Sequence, residues 1–294
     1  MATTITQSFL EFKNNLEITG LQATTVSTRQ KNVQDAMQAN MKVVKTFLTG
    51  SYKRQTMIAP LNEADIDVFV VLDNEYYYHY NNGQNGGQAG LLDLVKRTLL
   101  RTYTRTPDIA RDGQAVTIHF SDFLVDVVPG FNRHGGGYFI PNSIKQEWLR
   151  TDPTKHIELI SSSNIAHENK LVPLIKMIKA WNRNTGSFFR SFHLEALVLE
   201  IMQFVTITDY PSGARYFFDK GRTLIAKKNL DPAGYGDDIG SYINNADKIK
   251  TAVTKFEMAY NRALKAEDYA RRGYISDAIG QWRLIFGGYF PTYG

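Results

Sequence analysis

Three aspartates beside two apolar runs of the chain are the residues best suited to hold a metal ion. Asp65 and Asp67 open the run DIDVFVVL, and Asp126 lies inside the run FLVDVVP. The β-branched and aromatic residues at 66–72 predict a strand that is covered on both faces. Because side chains alternate along a strand, Asp65 and Asp67 point to the same side, with Cα atoms about 6.6 Å apart. That spacing suits two carboxylates that share a pair of divalent cations about 3.5–4 Å apart.

The environment of these acids favours a cation over simple solvation. Two carboxylates beside a buried strand repel each other and lose hydration, and Mg²⁺, with Mn²⁺ as its alternative, takes hard oxygen ligands together with substrate phosphates. An isolated Asp-x-Asp is more often a solvated strand entrance, so the interpretation depends on Asp126, an acid in a run typical of a core. Asp122 is the rival third acid, and its place at the strand's edge favours solvation.

A glycine–serine pair lies shortly before the first acids. Gly50 and Ser51 follow the run VVKTFL, which is either a helix end or a short strand, and precede Lys53 and Arg54. Glycine lets backbone N–H groups approach a phosphate, and a serine hydroxyl can donate a further hydrogen bond. Alone, Gly-Ser usually marks only a turn. Close to the acids, it predicts a phosphate-holding turn beside a metal site, which is equipment for moving a nucleotidyl group.

The longer pattern resembles a known family. The segments GSYKRQT, DIDVFVVL, VDVVPGF and GGYFIPN, then Trp148 and TDP, are similar to those of the cGAS/DncV-like nucleotidyltransferases. These enzymes belong to the DNA polymerase β-like superfamily and make cyclic oligonucleotides in bacterial anti-phage signalling (CBASS). The resemblance implies an α+β, bilobal fold. Residues 1–163 would form a mixed-sheet catalytic lobe with an N-terminal spine helix, and residues 164–294 a helical lobe that closes the active-site cleft.

The same resemblance assigns roles to single residues. Asp65, Asp67 and Asp126 would be catalytic and would ligate two Mg²⁺ ions. The residues implied to bind the nucleoside triphosphate are Gly50, Ser51, Lys176, Lys179 and Ser191. Without the resemblance, the lysines and Arg183 form a basic stripe of a kind that is usually solvated. Asn182 could read a base edge or be merely solvated, His193 is expected on a helix face, and Glu195 is expected to be structural.

The implied reaction joins nucleoside triphosphates into a cyclic di- or trinucleotide second messenger and releases pyrophosphate. Two enzymatic alternatives stay open: a transferase that adds a nucleotide to RNA, a protein or a small molecule, and a synthase that makes linear oligoadenylate-type products. A non-catalytic nucleotide-binding regulator is disfavoured by the intact acids. The implied partners are ribonucleoside triphosphates, a downstream effector that binds the product, and a regulatory protein.

Composition narrows the class of protein further. The net charge of +5 suits an anionic substrate and is too small to require a long nucleic acid. The absence of cysteine excludes disulfides and zinc-thiolate sites. The N-terminus lacks the basic start and apolar core of a signal peptide, and no segment reaches 18 apolar residues, so we expect a cytoplasmic protein without a membrane span.

Periodicity predicts the elements that position these residues. A helix capped by Ser27 is expected to run to about Phe47, with Val44 on its packing face. Residues 115–120 and 123–128 predict an antiparallel hairpin. A helix is expected at 89–104, and the chain is expected to be mostly helical from Ala166 onward. There the predicted helices span 194–206, 213–228 and 243–272, with a loop at 233–240 and a last helix around Trp282.

Overall fold

The computed structural model describes residues 2–61, 65–105 and 108–294. The chain forms two compact units, one of Ile18–Glu158 and one that combines Met1–Glu17 with Leu159–Gly294. The sequence predicted a single boundary between residues 163 and 164, whereas the first segment of the chain belongs with the C-terminal half. The catalytic and closing roles given to the two lobes stay a prediction.

A seven-stranded mixed sheet is the centre of the unit Ile18–Glu158. The strands are β1 (Val43–Leu48), β2 (Asp65–Leu72), β3 (Asp108–Asp112), β4 (Ala115–His119), β5 (Leu124–Asn132), β6 (Tyr138–Asn142) and β7 (Glu147–Thr151). Their order in the sheet is β1-β2-β5-β4-β3, with β6 paired to β5 and β7 paired to β6. β2 and β5 run parallel, and the other pairs are antiparallel. The predicted β4–β5 hairpin is confirmed, while β6 and β7 were not predicted as strands.

Strand β2 is covered on both faces, as its composition predicted. Ile66, Val68, Val70 and Leu72 join the larger core of this unit. The side chains of opposite parity, Phe69 and Val71, join a second cluster with Tyr138 and Ile140 on the other face. Asp65 and Asp67 share the parity of Phe69 and Val71, so the two acids point to the face that carries the second cluster.

Helix α2 (Gly20–Gln38) corrects the predicted course of the chain before the sheet. The helix was expected to run from Ser27 to about Phe47, but Ser27 lies inside it and the helix ends at Gln38. Residues 43–48 are β1, the short strand that the run VVKTFL left open as an alternative, and Val43 pairs there with Leu72 of β2. Val44 is 55% exposed there and packs no helix face. The β-branched run VVKTFL favours a strand next to an apolar partner strand.

The α-helices α3 (Gly50–Lys53), α4 (Asn74–Tyr80) and α5 (Gly87–Thr102) also belong to this unit. α5 buries Leu91, Leu92, Val95 and Leu99 in the larger core, which confirms the helix predicted for residues 89–104. α2 adds Val33 and Met37 to the same core. Helix α6 (Pro153–Ala166) carries the boundary between the two units.

The second unit is helical, as its periodicity predicted. Its helices are α1 (Ile5–Asn15), α7 (Leu171–Asn184), α8 (Ser191–Met202), α9 (Tyr210–Leu224), α10 (Ala246–Arg271) and α11 (Ile275–Phe286). α1 joins this unit through aromatic packing: Phe9 lies 5.0 Å from Trp282, and Phe12 lies 4.6 Å from Phe286, between ring centroids. Across the described ranges, no helix is long and apolar enough to cross a membrane.

Candidate active site

The sheet places the three predicted acids on one face. β2 and β5 pair in parallel with Asp67 opposite Asp126, and Asp65 lies two residues earlier on β2. Val125 and Val127, the neighbours of Asp126, belong to the larger core, so Asp126 points to the opposite face, the one shared by Asp65 and Asp67. Two adjacent strands therefore present three carboxylates to the same side of the sheet.

The Gly-Ser turn lies directly against one of these acids. The backbone N–H of Thr49 donates to the carbonyl oxygen of Asp67 at 2.9 Å. Gly50 opens the short helix α3 at φ +64°, and a Cβ built on it would lie 1.6 Å from Oδ2 of Asp67. Ser51 is half-buried, and its carbonyl oxygen accepts backbone hydrogen bonds from Thr56 and Met57. The structure therefore brings together the turn and the carboxylate that the sequence connected only by proximity along the chain.

Gly50→Ala is expected to reduce product formation about a hundredfold. The added methyl group would displace the Asp67 carboxylate, and misplacement of a reacting group by about 1 Å costs on the order of 10²-fold in rate. Gly113→Ala is the matched control, because Gly113 also has positive φ, at +54°, while its Cβ would meet only a side-chain carbon of Ile144 at 3.5 Å. Initial rates and melting temperatures of both variants separate the clash from backbone strain. Equal rates for the two variants would contradict the assignment of Gly50.

A threonine that the sequence analysis did not single out holds Asp126. Thr117 on β4 pairs with Asp126 across the sheet, and its Oγ1 donates to Oδ1 of Asp126 at 2.6 Å. Burial raises the pKa of Asp126, the hydrogen bond from Thr117 lowers it, and the charge of Asp65 raises it again. The sequence did contain a signal for this contact. Side chains alternate along β4, so Thr117 points to the face opposite the buried Val116 and Ile118.

Thr117→Val is expected to lower kcat/KM about tenfold. Valine keeps the shape of threonine but removes the hydroxyl, and a hydrogen bond to a charged group contributes about 1.5–3 kcal/mol. Thr117→Ser keeps the donor and is expected to retain most of the activity. Steady-state rates of the two variants at saturating metal provide the measurement. A valine variant as active as the serine variant would show that the hydroxyl has no part in holding Asp126.

The geometry and the chemistry of the three acids both bear on a role as metal ligands. Within residues 2–61, 65–105 and 108–294, no group of three His, Cys, Asp or Glu side chains is gathered closely enough to hold a metal ion. The donor set itself suits Mg²⁺, since carboxylate oxygens are the ligands this ion prefers. The repulsion between Asp65 and Asp126 is also one that a cation would relieve. The chemistry of the three carboxylates therefore fits Mg²⁺. The carboxylates share one face of the sheet but do not lie close enough together to form a complete set of metal ligands.

The remaining predicted residues lie in the helical unit, where the two buried lysines form ion pairs. Lys179 Nζ lies 2.5 Å from Oε1 of Glu195 on α8, with side chains 7% and 1% exposed. Lys176 Nζ lies 2.7 Å from Oε2 of the half-exposed Glu17. Ser191, the first residue of α8, is exposed and lies one turn before Glu195 on the same face. The lysines are therefore not a solvated stripe. The ion pair with Glu195 holds the Lys179 ammonium beside the face of α8 on which Ser191 also lies.

Asn182 differs from its predicted environment, whereas His193 lies in helix α8 as expected and makes buried contacts there. Asn182 is buried, where its side chain donates to the carbonyl oxygen of Phe189 at 2.7 Å and accepts from the N–H of Phe189 at 3.0 Å. It therefore neither reads a base edge nor faces solvent. His193 is buried and lies 2.6 Å from Oδ1 of Asn229, and burial lowers its pKa. Asn182 fixes the backbone at Phe189, and His193 holds the side chain of Asn229.

Comparison with known proteins agrees with this geometry. Residues 3–164 match the family model of the SMODS domain, the Second Messenger Oligonucleotide or Dinucleotide Synthetase domain. A "Cyclic AMP-AMP-AMP synthase" from Acinetobacter sp. is 27% identical to this chain over an alignment 309 residues long. The alignment covers 98% of this chain and 86% of the relative.

Solved structures show the same fold at low identity. The Escherichia coli MS115-1 CdnC:HORMA-deltaN complex contains a chain with TM-score 0.70 and 18% identity, over 97% of this chain and 98% of that one. The Bradyrhizobium diazoefficiens CD-NTase CdnG in complex with GTP has TM-score 0.73 and 12% identity, over 96% and 95%. Because the family model covers more than half of its residues, the chain belongs to the SMODS family of cGAS/DncV-like nucleotidyltransferases, which are cyclic oligonucleotide synthases.

Proposed function

We propose that this chain joins ribonucleoside triphosphates into a cyclic di- or trinucleotide with release of pyrophosphate, using Asp65, Asp67 and Asp126 as ligands of two Mg²⁺ ions. The β2–β5 register supports this proposal most strongly, because it pairs Asp67 with Asp126 on the face that also carries Asp65. The contact between Gly50 and the Asp67 carboxylate adds a phosphate-holding turn at the same place.

Each residue has a distinct task in the proposed reaction. Bound divalent cations would lower the pKa of the attacking ribose hydroxyl and stabilise charge on the α-phosphate and on the leaving pyrophosphate. The Asp126 carboxylate, fixed by Thr117 through one oxygen, accepts the hydroxyl proton.

The triphosphate needs groups that fix its orientation, because the attacking and leaving oxygens must lie in line. Gly50 and Ser51 supply backbone and hydroxyl donors in the unit of the acids. Lys179 and Ser191 supply a cation and a hydroxyl in the helical unit, and Lys176 assists them. The ion pair of Lys179 with Glu195 keeps that ammonium beside α8.

The partners follow from the second-messenger chemistry. A diffusible cyclic product requires an effector that binds it, and phage defence in the cytoplasm is the setting proposed for both. A structural neighbour was solved in complex with HORMA-deltaN, which supports a regulatory protein partner for this chain. A relative named for a product of three adenylates makes adenylate-only rings the first products to look for.

The proposed function is tested by product analysis. The purified protein is incubated with all four ribonucleoside triphosphates and Mg²⁺ or Mn²⁺, treated with phosphatase, and analysed by mass spectrometry. A phosphatase-resistant cyclic di- or trinucleotide is the expected product. Linear oligomers would keep the transfer chemistry but overturn cyclisation. A single nucleotide left on a macromolecule would favour the alternative transferase.

A further inference from the structure

A chain of hydrogen bonds runs from the first turn of α8 to the segment before α10, and the proposed reaction leaves it unused. The backbone N–H of Arg190 donates to Oη of Tyr242 at 3.1 Å, and this oxygen lies 3.0 Å from Nδ1 of His193. His193 Nε2 lies 2.6 Å from Oδ1 of Asn229. We call Arg190, His193, Asn229 and Tyr242 the α8 relay.

For a neutral His193 ring, one arrangement of protons satisfies every contact in the α8 relay. Oδ1 of Asn229 can only accept, so Nε2 of His193 carries the proton and donates it. Nδ1 then accepts from the Tyr242 hydroxyl, which itself accepts from the N–H of Arg190. Burial lowers the pKa of His193, which favours the neutral ring. The Tyr242 hydroxyl is therefore held from two sides.

The α8 relay also places an exposed cation. The guanidinium carbon of Arg190 lies 4.8 Å from the centre of the Tyr242 ring. A guanidinium over an aromatic face keeps its N–H donors for another acceptor. The next residue, Ser191, opens α8, whose N-terminus bears partial positive charge. Arginine donors, a hydroxyl and a helix N-terminus are all groups that bind phosphate oxygens.

We propose that Arg190 binds the polyphosphate of the nucleotide substrate and that Tyr242 is the positioning residue that holds Arg190 there. The inference rests on the proposed function, in which Ser191 contacts the triphosphate. His193 and Asn229 act behind Tyr242 by fixing its hydroxyl and therefore its ring. The packing supports a fixed arrangement, because a Cβ on Gly240 would lie 3.0 Å from Cε1 of His193.

The chain contains a matched control for this arrangement. The guanidinium carbon of Arg272 lies 5.0 Å from the ring centre of Tyr274, at the end of α10 and away from the start of α8. Arg272→Gln and Tyr274→Phe therefore remove the same chemical groups as Arg190→Gln and Tyr242→Phe without touching the proposed site. Melting temperatures of all four variants verify folding.

The test measures nucleotide affinity in the absence of turnover. The α,β-methylene analogues of the four ribonucleoside triphosphates are titrated into each protein with Mg²⁺ by isothermal calorimetry, because they cannot donate their nucleotidyl group. Arg190→Gln is expected to weaken the best-binding analogue about tenfold, as for loss of a charge-assisted hydrogen bond. Tyr242→Phe is expected to weaken it about threefold, and the two control variants are expected to match the wild type.

A double variant and a kinetic measurement separate positioning from general structure. If Tyr242 acts through Arg190, Tyr242→Phe causes no further loss of affinity in the Arg190→Gln background. In turnover, Tyr242→Phe is expected to raise KM while kcat stays within about twofold, since only substrate binding is weakened. Additive losses in the double variant would overturn the positioning role of Tyr242.

The remaining outcomes distinguish this inference from the proposed function. Equal affinities for Arg190→Gln and Arg272→Gln would overturn the inference, even if the wild type makes a cyclic product. A selective loss in Arg190→Gln, in a protein that makes no cyclic product, would support polyphosphate binding and contradict only the cyclisation. Failure of every analogue to bind a wild type that makes a cyclic product would overturn the inference alone, and the same failure in a wild type that makes no product would overturn both.

Discussion

The double substitution Asp65→Ala, Asp67→Ala is expected to lower product formation by at least about a thousandfold while the chain stays folded. Removing a single preorganised electrostatic contact typically costs 10²–10³-fold in kcat, and this variant removes two of the three proposed metal ligands. The fold is expected to persist because Asp65 is exposed and Asp67 only half-buried. Removal of Asp65 also relieves its repulsion with Asp126.

Asp122→Asn is the control for this prediction, because Asp122 was the rival third acid. Its carboxylate forms a salt bridge with Arg29 at 3.1 Å, and both side chains are partly exposed. A pair of this kind contributes about 0–1 kcal/mol, so the variant is expected to stay close to wild type in stability and activity. Loss of activity in Asp122→Asn, or product from the double variant, would contradict the choice of acids.

A second readout isolates metal binding from turnover. Mn²⁺ has an electron-spin signal that broadens when the ion is bound, so the free ion can be counted directly in a titration. The wild type with an α,β-methylene analogue is expected to remove Mn²⁺ from solution, and the double variant is expected to remove far less. Equal Mn²⁺ binding by both proteins would show that the acids serve catalysis without ligating the ion.

The local pattern of the sequence was sufficient for β2, the β4–β5 hairpin and the long helices, because periodicity determines which face of an element is buried. It did not decide between a helix end and a short strand at residues 43–48, and the helix expected to reach Phe47 was wrong, because the spacing of Val44 fits a helix as well as a strand. Whether this run forms a strand depends on its pairing with the apolar strand β2, which is a tertiary contact.

The contacts that assemble the site were beyond local pattern. The distance between Gly50 and Asp67 depends on the turn that joins β1 to α3, and the pairing of Thr117 with Asp126 depends on the sheet register. Glu195 was expected to be structural only, because nothing along the chain shows that it would meet Lys179. Such long-range partners leave no periodic signal, so the acids could be identified but their supports could not.

Lys179→Met is expected to cause the largest loss of stability among single substitutions at the predicted site residues. Glu195 is 1% exposed, and the substitution removes the ammonium that balances its buried carboxylate. Breaking a buried ion pair from one side costs about 3–5 kcal/mol. For a protein of this size, the melting temperature is expected to fall by about 10 °C. Differential scanning calorimetry provides the measurement.

Lys176→Met is the matched control, because Lys176 is as buried as Lys179 but pairs with a carboxylate that is 48% exposed. Water can solvate Glu17 when its partner is removed, so the melting temperature is expected to change by only about a third as much. Equal losses in the two methionine variants would show that the burial of Glu195 is not the cause.

A double substitution separates the stabilising task of Lys179 from its proposed task on the nucleotide. Lys179→Met combined with Glu195→Leu replaces the buried pair by apolar groups of similar size, which is often neutral or stabilising. The melting temperature is therefore expected to return close to that of the wild type, while KM for the nucleoside triphosphate stays about tenfold raised because no ammonium meets the phosphates. If KM also returns to the wild-type value, Lys179 serves the fold alone, and the triphosphate must be held by other cations.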